Sequence, residues 1–127
     1  MENKYFTPDI EDIRVGYEYE SLQKQEDGSE KWVPQKIVRR YDLEGDWEGW
    51  LHYGIVRTPY LTKEQIEAEG WKHYGNNCFE LNPRWFCSWY PEINRLEVYD
   101  NENEKNFAGK CKDINTFRKI CKLLEIY

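Results

Sequence analysis

The segment 84–90, with the sequence RWFCSWY, constrains the fold of this chain more than any other stretch. Successive side chains of a β-strand point to opposite faces, so an extended segment of this composition has two aromatic faces. One face would carry Trp85, Cys87 and Trp89, and the other Phe86 and Tyr90. Such a strand either lies at the centre of a sheet, covered on both sides, or offers one aromatic face to a ligand.

Aromatic side chains are abundant enough to build the core. The 127 residues include six Trp, ten Tyr and five Phe. Each buried aromatic ring removes about 150–250 Å² from water, so these rings compensate for a shortage of Leu and Val. A chain of this length is typical of one domain and buries roughly two thirds of its unfolded surface. We therefore predict a single α+β domain over residues 1–127.

Alternating segments predict a curved antiparallel sheet. The segments 13–22 and 31–39 flank the turn-forming residues 25–29, a pattern typical of a β-hairpin. Pro34 lacks an N–H donor and therefore predicts that the second of these strands lies at a sheet edge. Further strands are predicted at 50–57, at 71–74 or 77–81, at 84–90 and at 93–99. The expected sheet has about five to six strands.

A short middle helix is predicted at about 63–69. Thr62 is followed three residues later by Gln65, which is the pattern of a capping box. Gly70 can take the left-handed conformation that ends a helix. We expect Ile66 to face the core.

A C-terminal helix is predicted at about 113–125, packed on the sheet. Asp113 is a suitable N-cap, and the apolar residues that follow it have helical spacing.

Residues 105–127 hold six Lys and Arg against two acidic residues, a net charge of +4 within a chain of net charge −6. An acidic chain is repelled by phosphate backbones, so general nucleic-acid binding is disfavoured.

The acidic loop 41–49 does not match an EF-hand. The sixth and twelfth positions of such a loop require Gly and Glu, but Trp47 and Tyr53 stand there. A weak, irregular cation site in this loop stays open as an alternative. No phosphate-binding glycine motif or nucleophile elbow is present, so we predict no catalytic residue and no cofactor.

The histidines and cysteines do not have the spacing of a metal site. Structural zinc sites usually show paired ligands two to four residues apart, and no such pair occurs. A zinc site assembled in space from His73, Cys78 and Cys87 stays open as an alternative. We predict no metal and expect four free thiols, because no export signal precedes them and a reducing cytosol keeps thiols free.

No stretch approaches the about 18 apolar residues of a membrane span, and we expect a cytoplasmic protein.

The aromatic residues favour a binding function. Stacking a base on an aromatic ring is worth about 1–3 kcal/mol, and arginine can contact a phosphate through two hydrogen bonds. The candidate contact residues are Arg39, Arg40, Trp85, Phe86, Trp89 and Tyr90. They would lie on the strand 84–90 and at the end of the hairpin. The hypothesis is a non-catalytic binding module for a protein or a small nucleotide-like ligand.

Two segments also carry a resemblance to known proteins. The segments 58–71 (TPYLTKEQIEAEGW) and 7–20 (TPDIEDIRVGYEYE) resemble stretches of small proteins carried by phages and mobile elements of gut Bacteroides-type bacteria. The resemblance implies an aromatic strand hairpin and a C-terminal helix after the short helix. It also implies a phage-encoded cytosolic accessory protein that binds a host protein or sequesters a small signal, in host takeover or defence evasion. It carries over no catalytic residue.

Two other classes of function remain as alternatives. A small hydrolase would use Glu18, Glu20 or His52 in a concave pocket that shifts their pKa values. A virion or assembly component would show a large exposed apolar patch and form stable oligomers.

Overall fold

The chain forms two compact units, each with its own sheet. The computed structural model describes residues 4–126, and the first unit ends at Tyr60 while the second begins at Leu61. Each unit has one antiparallel sheet and one buried hydrophobic cluster. The α+β class is confirmed, but the prediction of one sheet is wrong. The prediction of a single domain over residues 1–127 stays a prediction.

The first unit has four strands and one helix among the described residues. They are β1 (Tyr5–Phe6), β2 (Glu18–Lys24), β3 (Glu30–Lys36), α1 (Trp47–His52) and β4 (Val56–Pro59), with short 3-10 turns at Ile10–Asp12 and Arg40–Glu44. The strand order is β1-β4-β2-β3. The predicted hairpin is confirmed, since β2 pairs with β3 across a turn in which Ser29 donates its backbone N–H to the Asp27 carboxylate at 2.9 Å. Pro34 lies on β3 at the sheet edge, as predicted.

Helix α1 replaces part of a predicted strand. The predicted strand 50–57 is wrong over residues 50–55, since residues 50–52 are helical and the strand β4 begins only at Val56. Asp46 begins this helix because its side chain accepts a hydrogen bond from the backbone N–H of Gly49 at 3.2 Å. The helix buries Trp47, which is 5% exposed, in a cluster with Tyr17, which precedes β2, and Val56 of β4.

Over residues 61–126, the second unit is a five-stranded meander with two helices. Its elements are α2 (Lys63–Ala68), β5 (Lys72–His73), β6 (Cys78–Leu81), β7 (Trp85–Tyr90), β8 (Arg95–Asp100), β9 (Lys105–Lys110) and α3 (Ile114–Leu123). The strands follow chain order, so β7 is the central strand. That position matches the sequence expectation for the segment 84–90. Strand β9 was not predicted, because Phe107 is its single large apolar residue.

Both predicted helices are confirmed by their caps. Thr62 and Gln65 exchange hydrogen bonds of 3.1 and 3.0 Å between side chain and backbone, and Gly70 has a φ of +100°. The Asp113 carboxylate accepts the backbone N–H of Thr116 at 3.1 Å. Helix α3 buries four residues in the core of the second unit: Ile114, Phe117, Ile120 and Cys121.

The two sheets have separate sets of strands. β4 pairs with β1 on one side and with β2 on the other, whereas β5 begins a second ladder by pairing with β6. Alternation in a sequence shows which side chains share a face, but it does not show which strands pair. Within residues 4–126 no helix is long and apolar enough to cross a membrane.

Candidate functional site

The two faces of β7 differ in burial. Trp89 is 4% exposed and Cys87 1% exposed, and both pack in the cluster that α2 and α3 complete. Trp85 packs against the same cluster. Phe86 and Tyr90 lie on the opposite face and are half-buried. The predicted alternation is confirmed, and it divides the four predicted aromatic contact residues between a helix-covered face and a second face.

The six predicted contact residues are divided between the two units. Arg39 and Arg40 belong to the first unit and are exposed. Trp89 serves as a core residue, so its side chain is not offered to a ligand. Phe86 and Tyr90 are the predicted residues that lie on the second face of β7.

A pocket of about 280 Å³ lies on this second face. Its lining residues are Tyr74, Phe86, Cys87, Ser88, Tyr99 and Asn103. We call it the tyrosine pocket. Phe86 lies directly opposite Tyr99 on β8, and the Tyr74 ring stands nearly perpendicular to Phe86 at a centroid distance of 6.2 Å. The pocket is therefore lined by three aromatic rings from β7, from β8 and from the loop after β5.

Tight turns hold the two outer walls. Tyr74 donates its backbone N–H to the carbonyl of Cys78 at 3.1 Å, which closes the β5–β6 turn. In the β8–β9 turn, Asp100 accepts the backbone N–H groups of Glu102 and Glu104 at 2.9 and 3.0 Å. The hydrogen bond from the Asn106 side chain lowers the pKa of Asp100 most, and these backbone hydrogen bonds lower it further. The turn puts Asn103 in the left-handed region, with φ of 63°.

A charge cluster lies beside the tyrosine pocket. Glu97 accepts hydrogen bonds from the Tyr99 hydroxyl at 2.8 Å, from Arg95 at 3.0 and 3.2 Å, and from the Lys105 ammonium at 3.3 Å. The Tyr99 hydrogen bond, followed by the Arg95 one, lowers the pKa of Glu97, and the same Tyr99 bond raises the pKa of Tyr99. Two cations and one carboxylate give this cluster a formal net charge of +1, while Glu80 places a negative charge near the pocket residue Tyr74.

The Cys87 thiol, on the helix-covered face of β7, is not a nucleophile. Burial raises the pKa of the Cys87 thiol far above its ordinary value, and burial does the same to Cys111. A thiol that stays protonated at neutral pH does not attack a substrate. Among the described residues no group of three or more His, Cys, Asp and Glu side chains could hold a metal ion.

The residues of the hydrolase alternative have structural partners. Glu20 is bound to Arg57, with 2.7 Å between carboxylate oxygen and guanidinium nitrogen. The Arg57 guanidinium lies over the rings of Tyr5 and Trp32, at 3.5 and 4.0 Å from their centroids. Such a stack holds Glu20 as an ion-pair partner rather than as a proton acceptor. We call these four residues the arginine stack.

Sequence reasoning missed two walls of the tyrosine pocket. Tyr74 and Tyr99 belong to strand ends whose partners depend on register, and the sequence carries no local signal of register.

Comparison of the chain with protein-family models, curated proteins and solved structures gave no significant match.

Proposed function

We propose that this chain is a non-catalytic binding protein whose tyrosine pocket takes the planar ring of a small nucleotide-like ligand. The pocket itself is the observation that carries the proposal. It combines aromatic walls with the Ser88 hydroxyl and the Asn103 amide, which supply donors and acceptors for the edge of a base. Stacking of a base on such rings is worth about 1–3 kcal/mol.

The size of the pocket limits what enters it. Pockets for drug-sized ligands span about 300–1,000 Å³, and the tyrosine pocket, at about 280 Å³, falls just below that range. One ring system enters, and the sugar and phosphate of a nucleotide remain outside.

The charge cluster supports an anionic group at that outer position. Arg95 and Lys105 share the single carboxylate of Glu97, so a phosphate finds a net positive charge there. The whole chain carries −6, which repels a long phosphate backbone. A local positive cluster on a chain of negative net charge supports binding of a small nucleotide rather than of DNA or RNA.

The resemblance to phage and mobile-element proteins supports a cellular setting for this activity. In that setting the chain is a phage or prophage accessory protein in the cytosol of its bacterial host. Sequestering a small nucleotide signal would then serve host takeover or defence evasion.

Calorimetric titration with AMP, GMP and their cyclic monophosphates tests the ligand class. We expect Tyr74→Ala to weaken binding about 5- to 150-fold through the lost stacking. Tyr74 is 52% exposed, so its removal leaves the fold intact. The matched control is Tyr53→Ala, which removes a 78% exposed tyrosine from the first unit and leaves the affinity unchanged. Absence of binding at millimolar nucleotide, or equal weakening by both variants, would refute the proposal.

Native mass spectrometry of gently purified protein extends the test to ligands outside this panel. An extra mass in the range of a nucleotide, lost on denaturation, supports the proposal. An extra mass in the range of a protein would instead favour the host-protein alternative.

A further inference from the structure

The first unit contains a second aromatic pocket, of about 600 Å³. Its walls and rim include Tyr19, Tyr41, Asp42, Glu44, Trp47 and Trp50. We call it the tryptophan pocket. It is formed by β2, β3, the 3-10 turn at 40–44 and the start of α1, so it lies wholly within the first unit.

The aromatic walls fix one another. Trp47 meets Tyr19 edge to face at a centroid distance of 5.2 Å and Trp50 at 5.0 Å. The indole N–H of Trp47 donates to the backbone carbonyl of Asp42 at 3.1 Å. Gly45 packs so closely on the Trp50 ring that a Cβ at this position would overlap it. The walls are therefore preorganised in the absence of ligand.

Two carboxylates, Asp42 and Glu44, line the pocket together with Lys36, and the Arg39 charge also acts on Asp42. Asp42 accepts the backbone N–H groups of Val38 and Arg39 at 3.0 and 3.1 Å, and these bonds, that of Arg39 first, lower its pKa and keep it ionised. Burial, and then the nearby Asp42 charge, raises the pKa of the Tyr19 hydroxyl. The negative field of Asp42 thus reaches an aromatic wall of the pocket.

Glu44 adds a second negative charge. Its carboxylate makes no hydrogen bond or ion pair with any residue of the range 4–126. Residues 1–60 as a whole hold 8 Lys and Arg against 13 Asp and Glu, a net charge of −5. An acidic surface of this kind concentrates cations near the pocket.

We propose that the tryptophan pocket binds the alkylammonium head of an organic cation. Aromatic ring faces attract a cation through their quadrupole, and they favour a weakly hydrated one. An alkylammonium group loses its water more readily than a metal ion, while the carboxylates of Asp42 and Glu44 supply the opposite charge. Lys36 also lines the pocket and repels a cation. Removal of the Lys36 charge should therefore strengthen cation binding, whereas removal of a carboxylate should weaken it.

The test follows the indole N–H resonances of Trp47 and Trp50 by NMR, in the intact chain, with Trp50→Phe used for assignment. Tetramethylammonium chloride is the first probe, and sodium chloride at equal concentration is the control for ionic strength. We expect saturable shifts of both resonances with the organic cation alone. Choline and N-acetyl-lysine amide then distinguish the source, because tighter binding of choline indicates a free small cation and tighter binding of the lysine amide indicates a protein side chain.

Charge variants give opposite signs if the ligand is a cation. We expect Glu44→Gln to weaken tetramethylammonium binding about twofold to fivefold, and Lys36→Gln to strengthen it by a similar factor. Glu48→Gln is the matched control, because it removes an exposed carboxylate from α1 outside the pocket. It should leave the affinity unchanged.

A wall variant tests the contribution of the rings. Gly45→Ala displaces the Trp50 ring and should cost about tenfold in affinity. Gly109→Ala, on an edge strand of the second unit, is the matched control for a Gly→Ala change. Identical shifts with sodium chloride, or equal effects of Glu44→Gln and Glu48→Gln, would overturn the proposal.

Discussion

The tyrosine pocket of the second unit and the tryptophan pocket of the first have similar aromatic walls but different charged neighbours. Arg95, Lys105 and Glu97 lie beside the tyrosine pocket, and the Glu80 charge reaches Tyr74. Asp42, Glu44 and Lys36 line the tryptophan pocket, and the Arg39 charge acts on Asp42. The two units also differ in net charge. Residues 1–60 carry −5, and residues 61–127 carry −1, with 10 basic and 11 acidic residues. Aromatic walls accept any flat or weakly hydrated group, so the rim charges set the class of ligand.

The same contrast holds for how each unit uses an arginine and a carboxylate. In the arginine stack, the Arg57 and Glu20 side chains are 25% and 20% exposed, and the Arg57 guanidinium lies over two rings. In the charge cluster, Arg95 is 41% exposed although its partner Glu97 is only 13% exposed. A screened pair contributes little to folding, and its charge remains available to a ligand, whereas the stacked pair is committed to the fold.

The largest expected effect separates the core from the second face of β7. Trp89→Ala should lower the free energy of unfolding by about 3–5 kcal/mol, because it opens a cavity between the sheet and the helices. Tyr90→Ala, on the other face, should cost about 1 kcal/mol. Urea unfolding of both variants checks the difference, and equal losses would contradict the assignment of faces.

The Trp89→Ala variant also tests the predicted single domain. If the chain is one cooperative domain, the Trp47 indole resonance of the first unit is lost in the same transition as the signals of the second unit. Persistence of that resonance after the second unit has unfolded would show two domains.

A smaller effect is expected from the arginine stack. Arg57→Leu should lower the free energy of unfolding by about 2 kcal/mol, since it removes two cation–π contacts and leaves the Glu20 carboxylate without its partner. The control is Lys63→Leu, which breaks an exposed pair with Glu67 at 3.6 Å and should change stability by less than about 0.5 kcal/mol. Thermal unfolding measures both, and similar losses would mean that the stack is an ordinary surface pair.

The smallest effect is the pH dependence of the charge cluster. The pKa of Glu97 in the folded chain lies below its ordinary value of 4.5. Its contribution to stability is therefore complete above about 4.5 and is lost as the pH falls through the lowered folded value. Glu97→Gln should flatten this acid limb, as measured by urea unfolding between pH 6 and the acid range of about pH 2–3. A limb of unchanged slope would show that the cluster does not couple to folding.

Local signals made some elements predictable. Helices α2 and α3 begin at caps that the sequence displays, at Thr62 and Asp113, and both were predicted within about two residues. Helix α1 was missed because residues 41–49 were interpreted as an acidic loop and residues 50–57 as a strand, which divided the six residues of the helix between two segments. Its signal was the helical spacing of Trp47, Trp50 and Leu51, which follows the cap at Asp46.

The pockets were less predictable because residues distant in sequence form them. Phe86 was singled out, but its neighbour Tyr99 comes from pairing of β7 with β8 in one particular register. Tyr19 and Trp47 likewise meet through folding of the first unit. Alternation shows the face on which a side chain lies, and three-dimensional pairing decides which other side chains it contacts.

The unequal burial of the four thiols allows the protein to be labelled at one position. Cys87, Cys111 and Cys121 are buried, whereas Cys78 is partly exposed, and its sulfur lies 3.9 Å from the Ser88 hydroxyl of the tyrosine pocket. A maleimide dye should therefore attach to the folded chain at Cys78 first and to the other three thiols only on unfolding. Because the dye would sit beside Ser88, which lines the pocket, its rate of attachment should report occupancy of the pocket without any knowledge of the ligand.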